Sequence, residues 1–329
     1  MAVKTVLEAV REALFEEMRR DENVFVLGED VGQRGGVFRV TDGLQKEFGE
    51  MRVLDTPLAE SAIAGVAIGA AVRGMRPVAE FQFADFIHPA VEQIIDEAAR
   101  FRYRSNNTFS CPVVFRAPYG GGVQGGMYHS QSVEAMFAMW PGLKVVTPSF
   151  PYDYKGLLKA AIRDNDPVLF FEHKKTYTLP SVKQEVPAGD YIVPLGKANV
   201  VKEGTNLSVF AYGMMLHQSL QAARVLEQEG VSVEVVDLRT LRPLDKETIL
   251  NSVKKTGRAL IVHEANLFGG FGGEIAAIIA EEAFEWLDAP VRRLAGLDVP
   301  GMPFALPLEE EFMPNPTKIA QAMRNLAAY

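Results

Sequence analysis

Cysteine is almost missing from this sequence: Cys111 stands alone among 329 residues, which excludes an intramolecular disulfide and fits a reducing compartment. Positive charge is also in deficit, with 34 Lys and Arg against 42 Asp and Glu and a net charge of −8. No electrostatic footprint for nucleic acid or an acidic membrane is present. No apolar run reaches the roughly 20 residues that span a bilayer. The N-terminal segment carries Lys4, Glu8, Arg11, Glu12, Glu16 and Glu17 on an amphipathic period, so it reads as a helix and not a signal peptide. A cytoplasmic protein is expected. His-x-x-x-His and Cys-x-x-Cys spacings, a Gly-x-Ser-x-Gly elbow and a P-loop are all absent.

What is present is an ordinary globular composition, 48% hydrophobic and 23% charged, on a chain about twice the length of a typical domain. Continuous apolar runs alternate with helical periods. Val24–Leu27, Val53-Leu54, Pro77–Phe81, Pro112–Arg116, Lys144–Val146 and Val168–Phe171 read as strands. Thr5–Arg20, Pro57–Arg73, Ile87–Tyr103 and Tyr152–Arg163 read as the helices between them. Such alternation predicts a parallel sheet covered by helices on both faces. A Pro/Gly-bearing stretch then precedes a second α/β series that starts at Leu207. The expected division is a first domain over 1–185, a linker over 186–206 and a second domain over 207–329.

The stretch Asp55-Thr56-Pro57-Leu58-Ala59-Glu60 reads as a helix start, with Thr56 as cap, Pro57 in the first turn and Glu60 near the positive end. From Ser61 to Val72 there is no charge, so the helix is expected to be buried, with Gly65 and Gly69 allowing close approach of a neighbour. Glu60 then sits at the edge of an apolar interior, where it either complements the helix dipole or bonds to a particular ligand atom.

Ligands of parallel α/β sheets bind beyond the carboxyl ends of the strands, which directs attention to Glu29-Asp30, Glu60 and the loop Gly120–Ser130. That loop lacks the ending of a P-loop and reads as flexible backbone that lets His129 reach a site; the histidine is read either as a satisfied structural residue or as a group for proton transfer or carbonyl polarisation. Gly269–Glu274 fails the dinucleotide spacing and reads as a tight strand-to-helix turn. Arg100, Arg102 and Arg104 fall at the negative end of a helix dipole.

These motifs resemble the β-subunit of the thiamine-diphosphate-dependent decarboxylase component of 2-oxo-acid dehydrogenase complexes. The resemblance rests on Gly28–Gly32, Gly35–Phe38, Asp55–Glu60, Glu80–Phe86, Arg102–Ser105, Tyr128–Ser132, Pro141–Val146, Gly156–Asp164 and Val236–Thr240, and it spans the chain in order. It implies a transketolase-like α/β fold: an N-terminal pyrimidine-binding domain and a C-terminal transketolase-type domain. It also implies that Glu60 bonds a ring nitrogen of the cofactor's aminopyrimidine, favouring the imino tautomer that activates the thiazolium carbon. Leu58, Gln82 and Phe86 would line the pyrimidine pocket, Phe86 replacing the tyrosine often found there. His129 would serve the acylation of a lipoyl group. A structural potassium ion is implied near Val114, Ala161, Asp164 and Asp166.

In such enzymes a Gly-Asp-Gly stretch followed by an asparagine holds the diphosphate and Mg²⁺, and this chain has none. The resemblance therefore implies an α-subunit that grips them, in an α₂β₂ heterotetramer served by a lipoyl-bearing acyltransferase. The motifs around Gln82 and His129 look more like the branched-chain members than the pyruvate ones, which makes a branched-chain 2-oxo acid the expected substrate.

Overall fold

A computed structural model describes residues 1–329, which group into two compact units, Met1–Tyr119 with Met136–Leu195 and Gly120–Ala135 with Gly196–Tyr329. Residues 120–135, within the expected first domain, make their contacts with the later unit.

The chain begins with β1 (Ala2–Lys4) and α1 (Val6–Arg20). A capping box fixes the helix start: the Glu8 N–H donates to Thr5 Oγ1, and the Thr5 N–H donates to Glu8 Oε2. Then come β2 (Val24–Gly28), α2 (Leu44–Phe48), β3 (Val53–Asp55), α3 (Glu60–Val72) and β4 (Arg76–Glu80). After α4 (Phe101–Arg104) and β5 (Val114–Tyr119) follow α5 (Glu134–Ala138) and β6 (Lys144–Val146). The first series closes with α6 (Pro151–Arg163), β7 (Val168–His173) and β8 (Gln184–Val186).

Within this unit the strands run β6-β7-β5-β4-β2-β3, every neighbour parallel. β2, β5 and β7 are buried along their whole length, as two-sided coverage requires. Val6, Val10 and Leu14 of α1 share a core with Leu157 and Leu158 of α6 and with Val26 and Phe170 of the sheet. Charges finish the α1–α6 contact. Arg163 binds Glu17 at 2.6 Å, and the buried Lys155 and Lys159 bind Glu16 at 2.7 and 2.5 Å.

Two of the expected helices need correction. The helix expected over Ile87–Tyr103 is broken into a 3₁₀ turn (His88–Ala90), a π-helical turn (Gln93–Glu97), a second 3₁₀ turn (Ala98–Arg100) and α4. Apolar periodicity marks the buried face but not which hydrogen-bond offset the neighbours impose. α3 starts at Glu60 with Ala59 as an uncapped N-cap, so Thr56 does not cap it. Nor is it buried all round: Ile63, Ala64, Ala67, Ile68 and Ala71 face the core, whereas Val66 is 58% exposed and Gly69 faces open space.

The second unit contains β9 (Asn199–Lys202), β10 (Leu207–Ala211), α7 (Gly213–Gln228), β11 (Val233–Asp237), β12 (Thr240–Arg242) and α8 (Lys246–Thr256). It continues through β13 (Ala259–Asn266), α9 (Gly272–Glu282), β14 (Arg292–Gly296), α10 (Leu306–Phe312) and α11 (Pro316–Ala327). Its sheet order is β14-β13-β10-β11-β9, parallel except for β9. Part of the stretch expected as linker thus forms an edge strand. No helix is long and apolar enough to cross a membrane.

Candidate active site

Three adjacent strands end together in the first unit. Gly28 of β2 is in register with Asp55 of β3 and with Glu80 of β4, so the loops that carry Glu29, Glu60 and Gln82 leave the sheet side by side. Gly28 is required there: a β-carbon would lie 2.6 Å from the Glu80 carbonyl oxygen. Asp55 Oδ1 accepts the Gly32 N–H at 2.6 Å and fastens the loop after β2. Gln82 Nε2 donates to Asp30 Oδ2 at 3.2 Å.

Glu60 lies half-buried in the first turn of α3. Facing it is Glu29, 9% exposed, whose carboxyl is pushed above its ordinary range by burial and by the charges of Glu60 and Asp30. The Gly28-Glu29-Asp30 run at the end of β2 was the only sequence signal for this second carboxyl group. Phe86 is half-buried, with its ring centroid 5.5 Å from that of Phe83, which in turn packs edge-on to Phe38 at 5.4 Å. Leu58 is 79% exposed.

Beneath these loops lies a buried ionic group. Arg116 Nη1 donates to Glu80 Oε2 at 2.6 Å, while Nε and Nη2 grip Glu172 at 2.6 and 2.8 Å. The Tyr177 hydroxyl donates to Glu172 Oε2 at 2.6 Å. Burial opposes the charge on Arg116, but the two carboxylates outweigh it and raise its pKa.

His129 belongs to the second unit, on a loop whose backbone N–H groups are hydrogen-bonded to two glutamates. Gly120, Gly122, Gln124 and Gly126 have φ of 87°, 77°, 55° and 65°. Left-handed residues at every second position turn N–H groups of a loop toward an anion. The anion is internal. Glu309 Oε1 accepts the N–H groups of Gly122 and Gln124 at 2.8 and 3.1 Å, and Glu264 Oε1 accepts that of Gly121. Neither glutamate had been singled out as a loop ligand from sequence, for Glu309 is 185 residues from Gln124. His129 itself is exposed.

The oxygens proposed for potassium are largely engaged. Lys144 Nζ binds both oxygens of Asp164 at 2.7 and 2.6 Å, and Arg102 Nε binds Asp166 at 2.5 Å. Arg76 donates to the Asp164 carbonyl at 2.9 Å, and the Ala161 carbonyl accepts the Asp164 N–H at 3.2 Å. Val114 lies buried in β5. No group of three or more His, Cys, Asp or Glu side chains converges as a metal site. Both carboxylates are thus ion-paired, Asp164 to Lys144 and Asp166 to Arg102. The remaining arginines of the cluster are paired as well, Arg100 with Asp96 and Arg104 with Glu97.

Residues 3–180 match the transketolase pyrimidine-binding domain, and residues 196–319 match the transketolase C-terminal domain. The fold is thus that of a transketolase-type protein. A solved structure described as a split gene transketolase, inactive beta4 tetramer, agrees with a TM-score of 0.80 at 25% identity, covering 99% of each chain. The chain is 61% identical over 329 residues, 100% of both chains, to 2-oxoisovalerate dehydrogenase subunit beta of Bacillus subtilis (strain 168). Pyruvate dehydrogenase E1 component subunit beta of the same strain is 50% identical at the same coverage. The chain belongs to the β-subunits of the 2-oxo-acid dehydrogenases. Its cofactor class is thiamine diphosphate, and as a β-subunit it acts with an α partner.

Proposed function

We propose that this chain is the β half of a branched-chain 2-oxo-acid dehydrogenase, completing an α₂β₂ heterotetramer that decarboxylates a 2-oxo acid and acylates the lipoyl groups of an acyltransferase in the cytoplasm. The observation that carries the reading is the juxtaposition of Glu60, Glu29, Gln82 and Phe86 at the ends of three neighbouring parallel strands. A carboxyl group at the edge of an apolar interior, an amide and an aromatic ring suit an aminopyrimidine, whose ring nitrogens need a proton partner and whose faces need apolar cover. The higher identity to the 2-oxoisovalerate enzyme favours branched-chain substrates over pyruvate.

When bound, thiamine diphosphate supplies the nucleophilic carbon on which the 2-oxo acid loses carbon dioxide. Glu60 holds a proton at a pyrimidine ring nitrogen. Gln82 and Phe86 orient the ring, and Leu58 covers its edge. His129 faces the substrate and moves a proton while the acyl unit passes to the lipoyl group. The N–H groups of the glycine loop are already spent on Glu309 and Glu264, which supports assigning the diphosphate and Mg²⁺ to the α-subunit. Potassium is proposed only as a structural ion near the carbonyls of Val114 and Ala161 and near Asp164 and Asp166. Exchanging it for sodium should move the melting temperature and leave kcat per folded tetramer unchanged.

The test is co-purification with a cognate α-subunit and an artificial-acceptor assay with pyruvate, 3-methyl-2-oxobutanoate and 4-methyl-2-oxopentanoate side by side. Branched substrates should show the higher kcat/KM, and a preference for pyruvate would overturn the substrate assignment. Glu60→Ala should lower turnover by about a hundredfold or more, the scale of a lost proton-transfer group. Near-normal turnover in that variant would overturn the assignment of Glu60, and intact rates in both Glu60→Ala and His129→Ala would instead describe a non-catalytic assembly subunit.

A further inference from the structure

The loop Gly120–Ser130 is closed on itself and clamped from outside. The Gly120 N–H donates to the Gln131 carbonyl at 3.1 Å, and Gln131 Nε2 donates to the Met127 carbonyl at 3.2 Å. Gly125 lies so close to His129 that a β-carbon on it would stand 2.6 Å from the His129 carbonyl oxygen and 2.9 Å from its Cβ. Gly125 and His129 are therefore in close packing contact. From the other side comes the segment that joins β14 to α10. Met302 packs on Gly121, the Phe304 ring covers Gly126, and Gly301 packs on Met127.

Glu309, on α10, is the polar centre of this clamp. It is 2% exposed, and its Oε1 receives the N–H groups of Gly122 and Gln124. Gln124 is the one non-glycine among the four left-handed residues, a conformation that costs an L-residue roughly 1–2 kcal/mol and persists only when its surroundings enforce it. Charge-assisted N–H bonds, about twice as strong as neutral ones, are such an enforcement. A nest of this geometry otherwise attracts a phosphate or another external anion. Here the protein supplies the carboxylate itself, from Glu309.

We propose that Glu309 is a positioning residue for His129: by filling the nest of Gly122 and Gln124 it locks the loop in the one shape that presents the imidazole for acyl transfer. The proposal rests on the reading of His129 as the acyl-transfer residue. It assigns no contact between Glu309 and substrate.

The experiment uses the assembled α₂β₂ enzyme and compares wild type with Glu309→Ala and Glu309→Gln. Amide hydrogen exchange at Gly122 and Gln124 should quicken by about tenfold or more in Glu309→Ala, while amides of β10 and β13 keep their wild-type protection. Acylation of a free lipoyl domain should fall about tenfold more than decarboxylation read with an artificial acceptor. Glu309→Gln keeps an acceptor oxygen in place and should restore most of both losses. Unchanged exchange at Gly122 and Gln124 in Glu309→Ala would overturn the proposal, as would an equal fall in the two rates. If Glu309→Ala does not accumulate, Glu309→Asp withdraws the oxygen by one methylene and is judged by the same two criteria. His129→Ala serves as the separate control: if it acylates lipoyl domains normally, the assignment of His129 fails, whereas the exchange data still report on the lock.

Discussion

The Tyr212 hydroxyl donates to Glu134 Oε1 at 2.7 Å inside the protein, while the second oxygen of Glu134 has no hydrogen-bond partner. Burial pushes this carboxyl up to about 7; the hydrogen bonds of its own backbone N–H and of Tyr212 hold it down only in part, and the charge of Glu264 adds to the rise. A carboxyl with a folded pKa above its ordinary 4.5 binds more protons when folded, so its stabilising contribution is full below 4.5 and is lost as pH rises through about 7. Glu134→Gln keeps an acceptor for Tyr212 and removes the titration. Thermal melts should show this variant nearly neutral at pH 5 and more stable than wild type at pH 8. A variant that stays below wild type at both pH values would contradict a protonated Glu134.

His263 has the opposite sign. Its ring is buried, bonds the Ala265 carbonyl through Nδ1 at 3.0 Å, and is pushed down to about 4, chiefly by burial. The folded protein keeps it neutral, so its contribution is present above the ordinary value of 6.5 and is lost as pH falls toward 4. Between about pH 4.5 and 6.5 the two groups pull stability in opposite directions. His263→Asn should flatten the acid side of the stability profile, and Glu134→Gln should steepen the net rise with pH. The same ring explains the Gly269–Glu274 turn. A β-carbon on Gly272 would meet His263 Cδ2 at 2.8 Å, so Gly272→Ala should cost about 1–3 kcal/mol in chemical denaturation.

Arg116 gives the largest stability prediction. It sits between two buried carboxylates and makes three hydrogen bonds of 2.6 to 2.8 Å. Arg116→Met leaves Glu80 and Glu172 buried without their cation, which should cost about 3–5 kcal/mol. The loss should shrink as pH is lowered, because protonation relieves the stranded carboxylates. Urea midpoints at pH 5 and pH 8 measure both effects, and an equal loss at the two values would place the damage in packing instead of charge.

The contrast between these residues shows what the sequence could disclose. Val24–Leu27, Val113–Arg116 and Val168–Phe171 announce β2, β5 and β7 because a strand buried on both faces is a continuous apolar run. The Thr5/Glu8 pair announces the start of α1 because its partners are three residues apart. Glu60 was legible as a carboxyl group at a helix start, but its facing partner Glu29 depends on the register of β2 against β3 and β4. The glycine loop was visible and its conformation was not, since the carboxylates that shape it come from Glu264 and Glu309, far along the chain. Likewise, nothing local to Ile87–Tyr103 marks the π-helical turn that interrupts it.

Gly28 connects the sheet to the cofactor reading. A β-carbon at this position would press on the Glu80 carbonyl at 2.6 Å and on Val31 Cγ1 at 3.1 Å, so Gly28→Ala must move β2 away from β4 at the point where both strands end. The loops that carry Glu29 and Gln82 would move with them. Glu60 hangs from β3 on the other side of β2 and would keep its own helix, so the alignment of the carboxyl group with the amide and the Phe86 ring is what suffers. Misplacement of about 1 Å is worth up to about a hundredfold in a positioned reaction. Gly28→Ala in the α₂β₂ enzyme should therefore raise the KM for thiamine diphosphate and lower kcat together, with the chain still folded by circular dichroism. Titration of the apo-enzyme with thiamine diphosphate checks this, and wild-type cofactor affinity with wild-type kcat would show that these strand ends do not frame the pyrimidine.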